Sequence, residues 1–346
     1  MPIVHPRAYQ RAFSLNRQTN LTTSIIDGKI NKGRSIRNFA PATKTGVRIS
    51  DLTWTAKGHT FPTFSDEVQE DFQFPSEDHS CTDLELLYAA YFCMGNLTSS
   101  QPFPGSMPLM WRHTIRWQPV LTNQLVRSTT VVEKAGAEYT KKLIGAWVNS
   151  FTITGDRADH VVLNWDGGAA GYEDDVFSFP ALSTASFFKT LFGTVSFGDS
   201  GSLGDISAEV LSFNFQFTQN AFPLHLMGNA TNSEKQVSEV LIGDQQVSGA
   251  ITMKINAAHR TRFLNQTLCG LRLILESPDT VSSVRKTATI NIPNLQIGSE
   301  SWGEEGPTIA WTMTFGAQDI LKIGAAEPAE IIIDSDIDNT EIGVVA

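Results

Sequence analysis

Apolar and polar residues alternate along much of this chain. Phe213, Phe215 and Phe217 are separated by polar residues, and the same period of two runs through 251–255 and 309–315. A period of two places every second side chain on the same face of a β-strand, so these stripes predict sheets with one buried face. We interpret the stripes as core packing and not as a cofactor-binding surface. The predicted strands are 49–56, 68–74, 111–119, 126–134, 146–154, 160–165, 208–217, 247–255, 271–276, 286–292 and 308–316.

Two short helices interrupt the predicted strands. Thr82 and Glu85 have the spacing of a capping box, and the apolar residues that follow recur with a helical period, which predicts a helix over 83–94. Gly95 is placed to end it in the left-handed conformation. A second helix is predicted over about 257–269, with Gly270 as its stop.

The order of strands and helices occurs twice along the chain. Gly95 and Gly270 are 175 residues apart, about half of the 346 residues, and strands precede and follow each helix. This order predicts a duplicated module. The predicted division is a basic N-terminal arm at 1–48, a first module at 49–165, a glycine-rich linker or loop at 166–207, a second module at 208–325 and an acidic C-terminal tail at 326–346.

Length and composition are consistent with two folded modules. The chain is 41% hydrophobic, which is enough to build a core, and 346 residues allow two domains or one large one. No apolar run reaches the ~18 residues of a membrane-spanning helix. The first residues lack the apolar centre of a signal peptide, so we expect no export through a membrane.

Charge is distributed unevenly along the chain. The net charge is −10, but residues 1–48 hold nine Lys and Arg against the single acid Asp27, a net of +8, which leaves −18 for the remainder. An acidic body argues against a protein that grips duplex DNA, since such proteins present a basic face. A basic head and an acidic tail suit association between copies of one chain, and two solvated termini are the alternative.

One segment is similar to the nucleophile turn of serine proteases. Gly198-Asp199-Ser200-Gly201 matches that turn, but Ser202 follows where that family has glycine. The candidate partner His259 lies downstream, in the second predicted helix. We therefore expect a Gly/Ser turn, and a hydrolase built on Ser200 stays as a hypothesis to be tested.

Candidate metal sites are equally incomplete. His79 and Cys81 could supply two ligands without a second pair nearby, and the three cysteines, which include Cys93 and Cys269, form no disulfide framework. The aspartates at 334, 336 and 338 have calcium-loop spacing but lack the later glycine and glutamate, so a solvated acidic tail is expected. The acids at 173–175 are expected at a loop tip. Tryptophans that lie on alternating stripes are expected in the core; they are Trp54, Trp117, Trp165 and Trp311. The sequence thus predicts no catalytic, cofactor-binding or metal-binding residue.

Five segments, in order along the chain, carry a family resemblance. They are HTIRW at 113–117, TVVEKAG at 130–136, GAWVNSFTIT at 145–154, FSFPAL at 177–182 and IAWTMTFGAQDI at 309–320. Through them the chain resembles, over roughly 45–325, the tail tube (major tail) proteins of long-tailed, siphovirus-like bacteriophages. The basic arm and the acidic tail lie outside the resemblance.

The resemblance implies a structural virion protein and not an enzyme. The fold class it implies is mainly β, with two tandem tail-tube-type β-sandwich or barrel modules, each with one short flanking helix. Copies would join edge to edge into rings, of three chains if the module is duplicated or of six if it is not. The rings would stack into the hollow phage tail tube, assembled in the host cytoplasm, through which DNA passes to the host without specific binding.

The implied partners are other copies of the chain, the tape measure protein, and the tail-terminator and distal-tail proteins, with no membrane and no cofactor. We expect an acidic bore that repels phosphate, lined by the polar alternates of 247–255 and 308–316 and their first-half counterparts. The linker and the basic arm are the expected ring-to-ring contacts. The alternative function is a low-copy tail-tip, baseplate or receptor-binding β-sandwich protein.

Overall fold

Antiparallel strands dominate the computed structural model of this chain. The structure describes residues 9–21, 23–36, 42–50, 65–103, 105–118, 125–136, 139–157, 159–174, 177–183, 185–225, 237–254, 256–305, 308–317, 328–342 and 344–345. The helices are α1 (Asp83–Met94) and α2 (Ala257–Leu264), with short 3-10 turns at Asp27–Lys29 and Asn339–Glu341. The strands up to the middle of the chain are β1 (Tyr9–Phe13), β2 (Arg17–Gln18), β3 (Lys32–Ile36), β4 (Thr43–Ser50), β5 (Ser65–Gln73), β6 (Ser76–Ser80), β7 (Gly95–Ser100), β8 (Trp111–Trp117), β9 (Thr129–Ala135), β10 (Tyr139–Asp156), β11 (Val162–Ala169) and β12 (Gly171–Asp174). The later strands are β13 (Lys189–Asp199), β14 (Ser202–Asp205), β15 (Val210–Thr218), β16 (Phe222–Leu224), β17 (Glu239–Leu241), β18 (Gln246–Lys254), β19 (Cys269–Val281), β20 (Val284–Glu305), β21 (Thr308–Ala317), β22 (Glu330–Ser335) and β23 (Val344–Val345).

Two long strands carry the chain from one sheet into another. β10 turns at Gly145, whose φ of +64° favours glycine, and a Cβ there would lie 2.6 Å from the Leu21 carbonyl oxygen. β20 changes register beside β19 at Pro293, which has no N–H to donate to the ladder. Each strand therefore pairs with different neighbours in its first and second halves.

The first half of β10 belongs to a five-stranded sheet in the order β3–β1–β9–β10–β12. Arg11 and Glu133 face each other directly across β1 and β9, and both are buried. The Arg11 Nη2 donates to Glu133 Oε1 at 2.5 Å, and its guanidinium lies 4.6 Å from the centre of the Phe74 ring. A charged residue of the predicted basic arm is thus part of the interior.

The second halves of the two long strands belong to a larger sheet. Its order is β4–β5–β11–β10–β15–β18–β21–β20, and we call it the front sheet. The short β6 pairs with β11 on the same side as β5. The first half of β20 lies in a second group of strands, in the order β14–β13–β19–β20–β22–β8–β7, which we call the back sheet. The apolar sides of both sheets contribute to one core, so the molecule is a sandwich.

Helix α1 fills the space between the two sheets. It contacts β10 and β11 of the front sheet and β7, β8, β20 and β22 of the back sheet, and each of its residues is buried. Thr82 caps its first turn, because its Oγ1 accepts from the Glu85 N–H at 3.3 Å and donates to the Glu85 carboxylate at 2.9 Å. Gly95, with φ of +88°, ends it as predicted.

Three sequence-based expectations need correction. The periodicity of 83–94 indicates one apolar face, but α1 is buried all round, because strands of both sheets contact it. Helix α2 ends at Leu264 and not near 269, because Gln266 has φ of +49°, and Gly270 lies in β19. The described part of 166–207 is not a structureless loop, since it contains β12, β13 and β14.

The prediction of a mainly β chain with few helices is confirmed. Strands from the two predicted modules pair with each other, as β10 does with β15, and β8 of the first module pairs with β22 of the predicted acidic tail, so these segments share their sheets. The front sheet is open and not closed into a barrel. The tandem duplication and its boundaries at 1–48, 49–165, 166–207, 208–325 and 326–346 stay predictions.

Candidate assembly surface

The front sheet ends in strands whose outer edges have no strand partner among the described residues: β20 at one end, and β4 and the short β6 at the other. At one end, the second half of β20 pairs with β21 alone. At the other end, β4 pairs with β5 alone. An open edge presents unpaired N–H and C=O groups, which invite pairing with another chain.

The hairpin of β20 and β21 also exposes large apolar side chains. Trp302 is 46% exposed and Ile309 is 56% exposed, close to the tip of the hairpin. The Arg260 guanidinium of α2 lies 5.5 Å from the Trp302 ring centre and partly covers it. The open edge and the apolar tip therefore lie on the same hairpin.

The outward side of the front sheet carries neutral polar side chains in register. One row runs Thr154, Asn214, Ala250, Thr314 and Ser299 across five strands. We call this surface the hydroxyl face; its polar members are Ser150, Thr152, Thr154, Ser212, Asn214, Gln216, Thr218, Gln246, Ser248, Thr252, Ser299, Ser301, Thr312 and Thr314.

Hydroxyl groups pair with one another across this face. The Oγ1 atoms of Thr252 and Thr312 are 2.9 Å apart, and Ser299 Oγ lies 2.7 Å from Thr314 Oγ1. Among the side chains that the structure describes on β10, β11, β15 and β18, formal charges occur at the margins, on residues such as Asp156, Asp166 and Lys254. The middle of the hydroxyl face is therefore polar without being charged.

The outward side of the back sheet is built from ion pairs instead. We call it the ion-pair face. Arg112 makes two parallel bonds of 2.8 Å with the Asp334 carboxylate, and the Arg116 Nε donates to Glu330 at 2.7 Å. The Arg285 Nη1 donates to Glu276 Oε2 at 2.9 Å.

The acidic tail is part of this back sheet and not a solvated segment. β22 lies between β20 and β8, and its Asp334 carboxylate is held by Arg112. Asp336 accepts from Lys286 at 2.6 Å, and Asp338 caps the last 3-10 turn by accepting from the Thr340 N–H at 2.8 Å. Each of the three aspartates therefore has its own partner within the fold, and the three do not bind one common group.

Lys286 also reaches the start of α1. Its Nζ donates to Asp83 Oδ2 at 3.1 Å, beside a polar pocket of about 670 Å³. Burial raises the pKa of Asp83, and the Lys286 ammonium opposes that rise. The tail therefore closes over the core helix through a bridging lysine.

The described part of the basic arm also makes contacts within its own chain. Lys32 pairs with Glu341 of the tail, and the Arg34 Nε donates to the buried Glu85 at 3.2 Å. β2 pairs in parallel with β23, which joins the two ends of the chain. Removal of residues 1–48 would therefore remove β1 and β3 and leave Glu133 buried without its arginine. Docking of the arm on a neighbouring ring stays a prediction.

The serine turn does not meet a histidine. Ser200 lies at the tip of the β13–β14 hairpin, and its hydroxyl donates to Asn294 Oδ1 at 2.7 Å and to the Pro293 carbonyl at 3.2 Å. His259 instead lies 3.1 Å from Arg262 Nη1 and 3.5 Å from Glu209 Oε2. This geometry is that of a Gly/Ser turn, as the sequence predicts.

The remaining candidates lie apart from one another. Cys81 is buried, whereas the His79 side chain lies outside the described residues. Cys93 and Cys269 are buried free thiols, and burial raises the pKa of Cys269 to about 11. The part of the chain that the structure describes contains no group of three or more His, Cys, Asp or Glu placed to hold a metal ion.

The acidic cluster at 173–175 and the tryptophans of the alternating stripes are the remaining positions that the sequence singled out. Glu173 and Asp174 are exposed on β12, and Asp175 lies outside the described residues, as does Trp54. Trp117, Trp165 and Trp311 are buried in the core, as the alternating stripes predict.

The sequence does not reveal the partners of His113, a buried histidine on the inner side of the back sheet. His113 Nε2 lies 2.9 Å from the Ile337 carbonyl and Nδ1 lies 2.9 Å from Ser99 Oγ, which fits a neutral ring with its proton on Nε2. Burial lowers the pKa of His113, and the Ile337 carbonyl opposes that effect. The alternation marks position 113 as inward-facing between Arg112 and Thr114, but it does not show which groups meet the ring.

A sandwich with open edges and a polar sheet face whose middle is uncharged is typical of a structural subunit that assembles with copies of itself. The sequence matches the family described as phage tail tube protein over residues 21–330. The chain therefore belongs to the phage tail tube protein family, whose members are structural components of the virion tail. No curated protein matches the chain.

The family match extends beyond the residues that carry the resemblance in the sequence. It begins within the predicted basic arm and ends in β22, inside the predicted acidic tail. Within the described residues, no helix is both long and apolar enough to cross a membrane.

Proposed function

We propose that this chain forms rings by pairing the open edge of β20 with the open edge of β4 in the next copy, and that the rings stack into the tail tube through which DNA leaves the capsid. The family match and the two unpaired ends of the front sheet support this proposal. A head-to-tail contact between two different edges closes into a ring when its rotation allows. The number of chains in a ring, three or six, is left to measurement.

Other surfaces support assembly less directly. The exposed Trp302 and Ile309 would be covered when a neighbour extends the hairpin. The tape measure, tail-terminator and distal-tail proteins remain proposed partners at the two ends of the tube, and assembly in the host cytoplasm is proposed with them.

Electron microscopy of the purified protein in negative stain tests this function. We expect long tubes of uniform bore. Discrete particles under all assembly conditions would contradict the tube and favour a low-copy tail-tip or receptor-binding role.

Two proline variants test the edge. Consecutive residues of an antiparallel strand point their N–H groups to opposite sides, so one of Ser301→Pro and Trp302→Pro removes an N–H from the open edge and the other removes one that faces β21. We expect the open-edge variant to keep the circular dichroism spectrum of the native subunit and to lose tube formation. Tubes from both variants would exclude pairing at this edge.

A further inference from the structure

Two half-buried arginines differ from the other buried arginines of the described structure. Arg17 and Arg127 pair with none of the described carboxylates. Four further arginines that are buried or half-buried each pair with one; they are Arg11, Arg34, Arg112 and Arg262. Because arginine stays protonated in proteins, the charges of Arg17 and Arg127 are not neutralised by any described side chain.

Both arginines line the same pocket, which has a volume of about 420 Å³. We call it the arginine pocket. It lies between the end of β2, the segment that leads into β9, and β17. The Gln18 N–H donates to the Ser128 carbonyl at 2.8 Å, and the Val126 N–H donates to the Val240 carbonyl at 3.0 Å. Backbone hydrogen bonds therefore fix the walls that carry the two arginines.

The guanidinium of Arg127 is anchored through one of its nitrogens. Its Nε donates to the Gly95 carbonyl at 3.1 Å, where α1 ends, and no other hydrogen bond joins it to a described residue. An arginine side chain has five N–H groups, and pairs of them match the two oxygens of a carboxylate or phosphate. The Nη atoms of Arg127 can therefore serve a ligand while Nε holds the side chain in place.

The two guanidinium groups are close enough to repel each other. Burial lowers the pKa of Arg127, and the positive charge of Arg17 lowers it further. Both arginines also lie near Tyr91 of α1, since burial raises the pKa of Tyr91 and the two positive charges oppose that rise. Glu239 lines the pocket as well, but it is exposed and makes no ion pair with either arginine. An anion bound between the arginines would relieve their repulsion and gain charge-assisted hydrogen bonds.

We propose that the arginine pocket binds an oxyanion, and that in the assembled protein this oxyanion is a side-chain carboxylate of a second copy of the chain; the second copy as donor rests on the proposed function. The same fold already shows the chemistry, because Arg112 holds the Asp334 carboxylate through two parallel bonds of 2.8 Å. A planar guanidinium recognises a carboxylate or a phosphate in this way.

A second copy can supply the carboxylate because acids outnumber bases in this chain. It contains 36 Asp and Glu against 26 Lys and Arg. Exposed acids such as Glu173 and Asp174 on β12 make no ion pair with a described residue. A neighbouring subunit therefore presents unpaired carboxylates, and the arginine pocket presents the matching unpaired positive charge.

Thermal unfolding of the unassembled subunit tests the oxyanion site. Inorganic phosphate is the probe, and sodium chloride at equal ionic strength is the reference. The pocket variants are Arg17→Gln and Arg127→Gln. The matched control is Arg157→Gln, which removes an exposed arginine that also lacks a carboxylate partner among the described residues. A ligand that binds only the folded state raises the melting temperature as its concentration increases.

We expect phosphate to raise the melting temperature of the native protein and of Arg157→Gln more than that of the two pocket variants. Phosphate also stabilises folded proteins by exclusion from their surfaces, but all four proteins share that contribution. If Arg127→Gln does not fold without its bond to Gly95, Arg17→Gln decides the result, and circular dichroism shows which variants fold. An equal phosphate shift in all folded proteins would overturn the oxyanion site.

Competition tests the second copy as the source of the carboxylate. Assembly is followed by light scattering while phosphate replaces chloride at constant ionic strength. We expect Arg17→Gln to need a higher protein concentration for assembly than the native chain and Arg157→Gln in chloride. We also expect phosphate to reduce this difference, because phosphate occupies the pocket that the carboxylate of the second copy must enter.

The two experiments separate the possible failures. Assembly of Arg17→Gln at the native concentration would overturn the second copy as donor, and a phosphate shift in the melting experiment would then assign the pocket to free phosphate. A native chain that never assembles would remove the proposed function and the second copy with it, whereas the melting experiment would still decide whether the pocket binds an oxyanion.

Discussion

The hydroxyl face and the ion-pair face belong to one sandwich and share one core, but they are built from different chemistry. Across the middle of the front sheet, neutral side chains such as Thr252 and Thr312 pair with each other. Across the back sheet, Arg112 and Arg116 are held by Asp334 and Glu330. Arg112, Arg116 and Arg285 each have a carboxylate partner, so these positive charges are neutralised locally on the ion-pair face.

The difference shows that the net charge of the chain does not describe the charge of each of its surfaces. A value of −10 for the chain says little about a sheet face whose alternating positions are serine, threonine, asparagine and glutamine. On the back sheet, ion pairs join strands that are distant in sequence, as Arg112 of β8 joins Asp334 of β22. The middle of the hydroxyl face carries no formal charge, and charged side chains of the described front sheet such as Asp166 and Lys254 lie toward its margins.

We expect the largest effect on stability from a substitution in the shared core, beneath the hydroxyl face. Phe215 is fully buried and packs against Phe213 and Phe315. We expect Phe215→Ala to lower the free energy of unfolding by about 3–5 kcal/mol, because it leaves a cavity in a close-packed interior. Urea unfolding measures the loss. A change below about 1 kcal/mol would show that the front sheet does not depend on this packing.

The second effect lies beneath the ion-pair face, at His113. His113→Leu leaves the Ile337 carbonyl without its donor, and we expect a cost of about 1–3 kcal/mol at neutral pH. The pKa of His113 is lower in the folded protein than in the unfolded chain. As the pH falls below about 6.5, the unfolded state therefore takes up the proton first and the native protein loses stability.

The His113→Leu variant has no imidazole to protonate at this position. The difference in the free energy of unfolding between the native protein and the variant should therefore shrink as the pH falls from 7 to about 5. Thermal unfolding across this range measures the difference. Parallel curves for the native protein and the variant would exclude His113 as the titrating group.

The third effect distinguishes the two faces by their response to salt. We expect Arg112→Met to cost about 1 kcal/mol at low salt, because its two bonds to Asp334 are partly exposed, and to cost less as salt screens the pair. Unfolding in urea at low and high salt gives both values. A cost that does not depend on salt would indicate that the arginine acts through packing.

The smallest effect concerns the hydroxyl pairs. A double-mutant cycle with Thr252→Val and Thr312→Val should give a coupling energy of about 0.2–1 kcal/mol that is unchanged by salt. A coupling that falls steeply with salt would contradict the neutral character of this face.

Local patterns in the sequence already contain much of this fold. The alternation of Phe213, Phe215 and Phe217 predicts which side chains are buried, and the buried Trp311 follows the same rule. Thr82 and Gly95 mark the ends of α1 correctly. These features depend on neighbours within a few residues, so the sequence carries them directly. The five segments that resemble tail tube proteins likewise point to the family that the match over 21–330 shows.

Contacts between distant strands could not be obtained in this way. Arg112 meets Asp334 across 222 residues of chain, and the buried Arg11 meets Glu133 across 122. The sequence shows a basic arm and an acidic tail, whereas the structure uses both within its own sheets. The periodicity of 83–94 also could not show burial on all sides, because a helix buries its second face only where a second sheet covers it.

The sequence by itself determined that the chain is mainly β, which positions alternate between buried and outward, where α1 starts and ends, and which neutral polar residues the front sheet carries. The tertiary structure decided which strands are neighbours, that the ends of the front sheet are open, and that the polar alternates of five strands form one continuous face. The physical reason is that alternation is a property of one strand, whereas a face and an edge exist only after strands far apart in the chain have chosen their register.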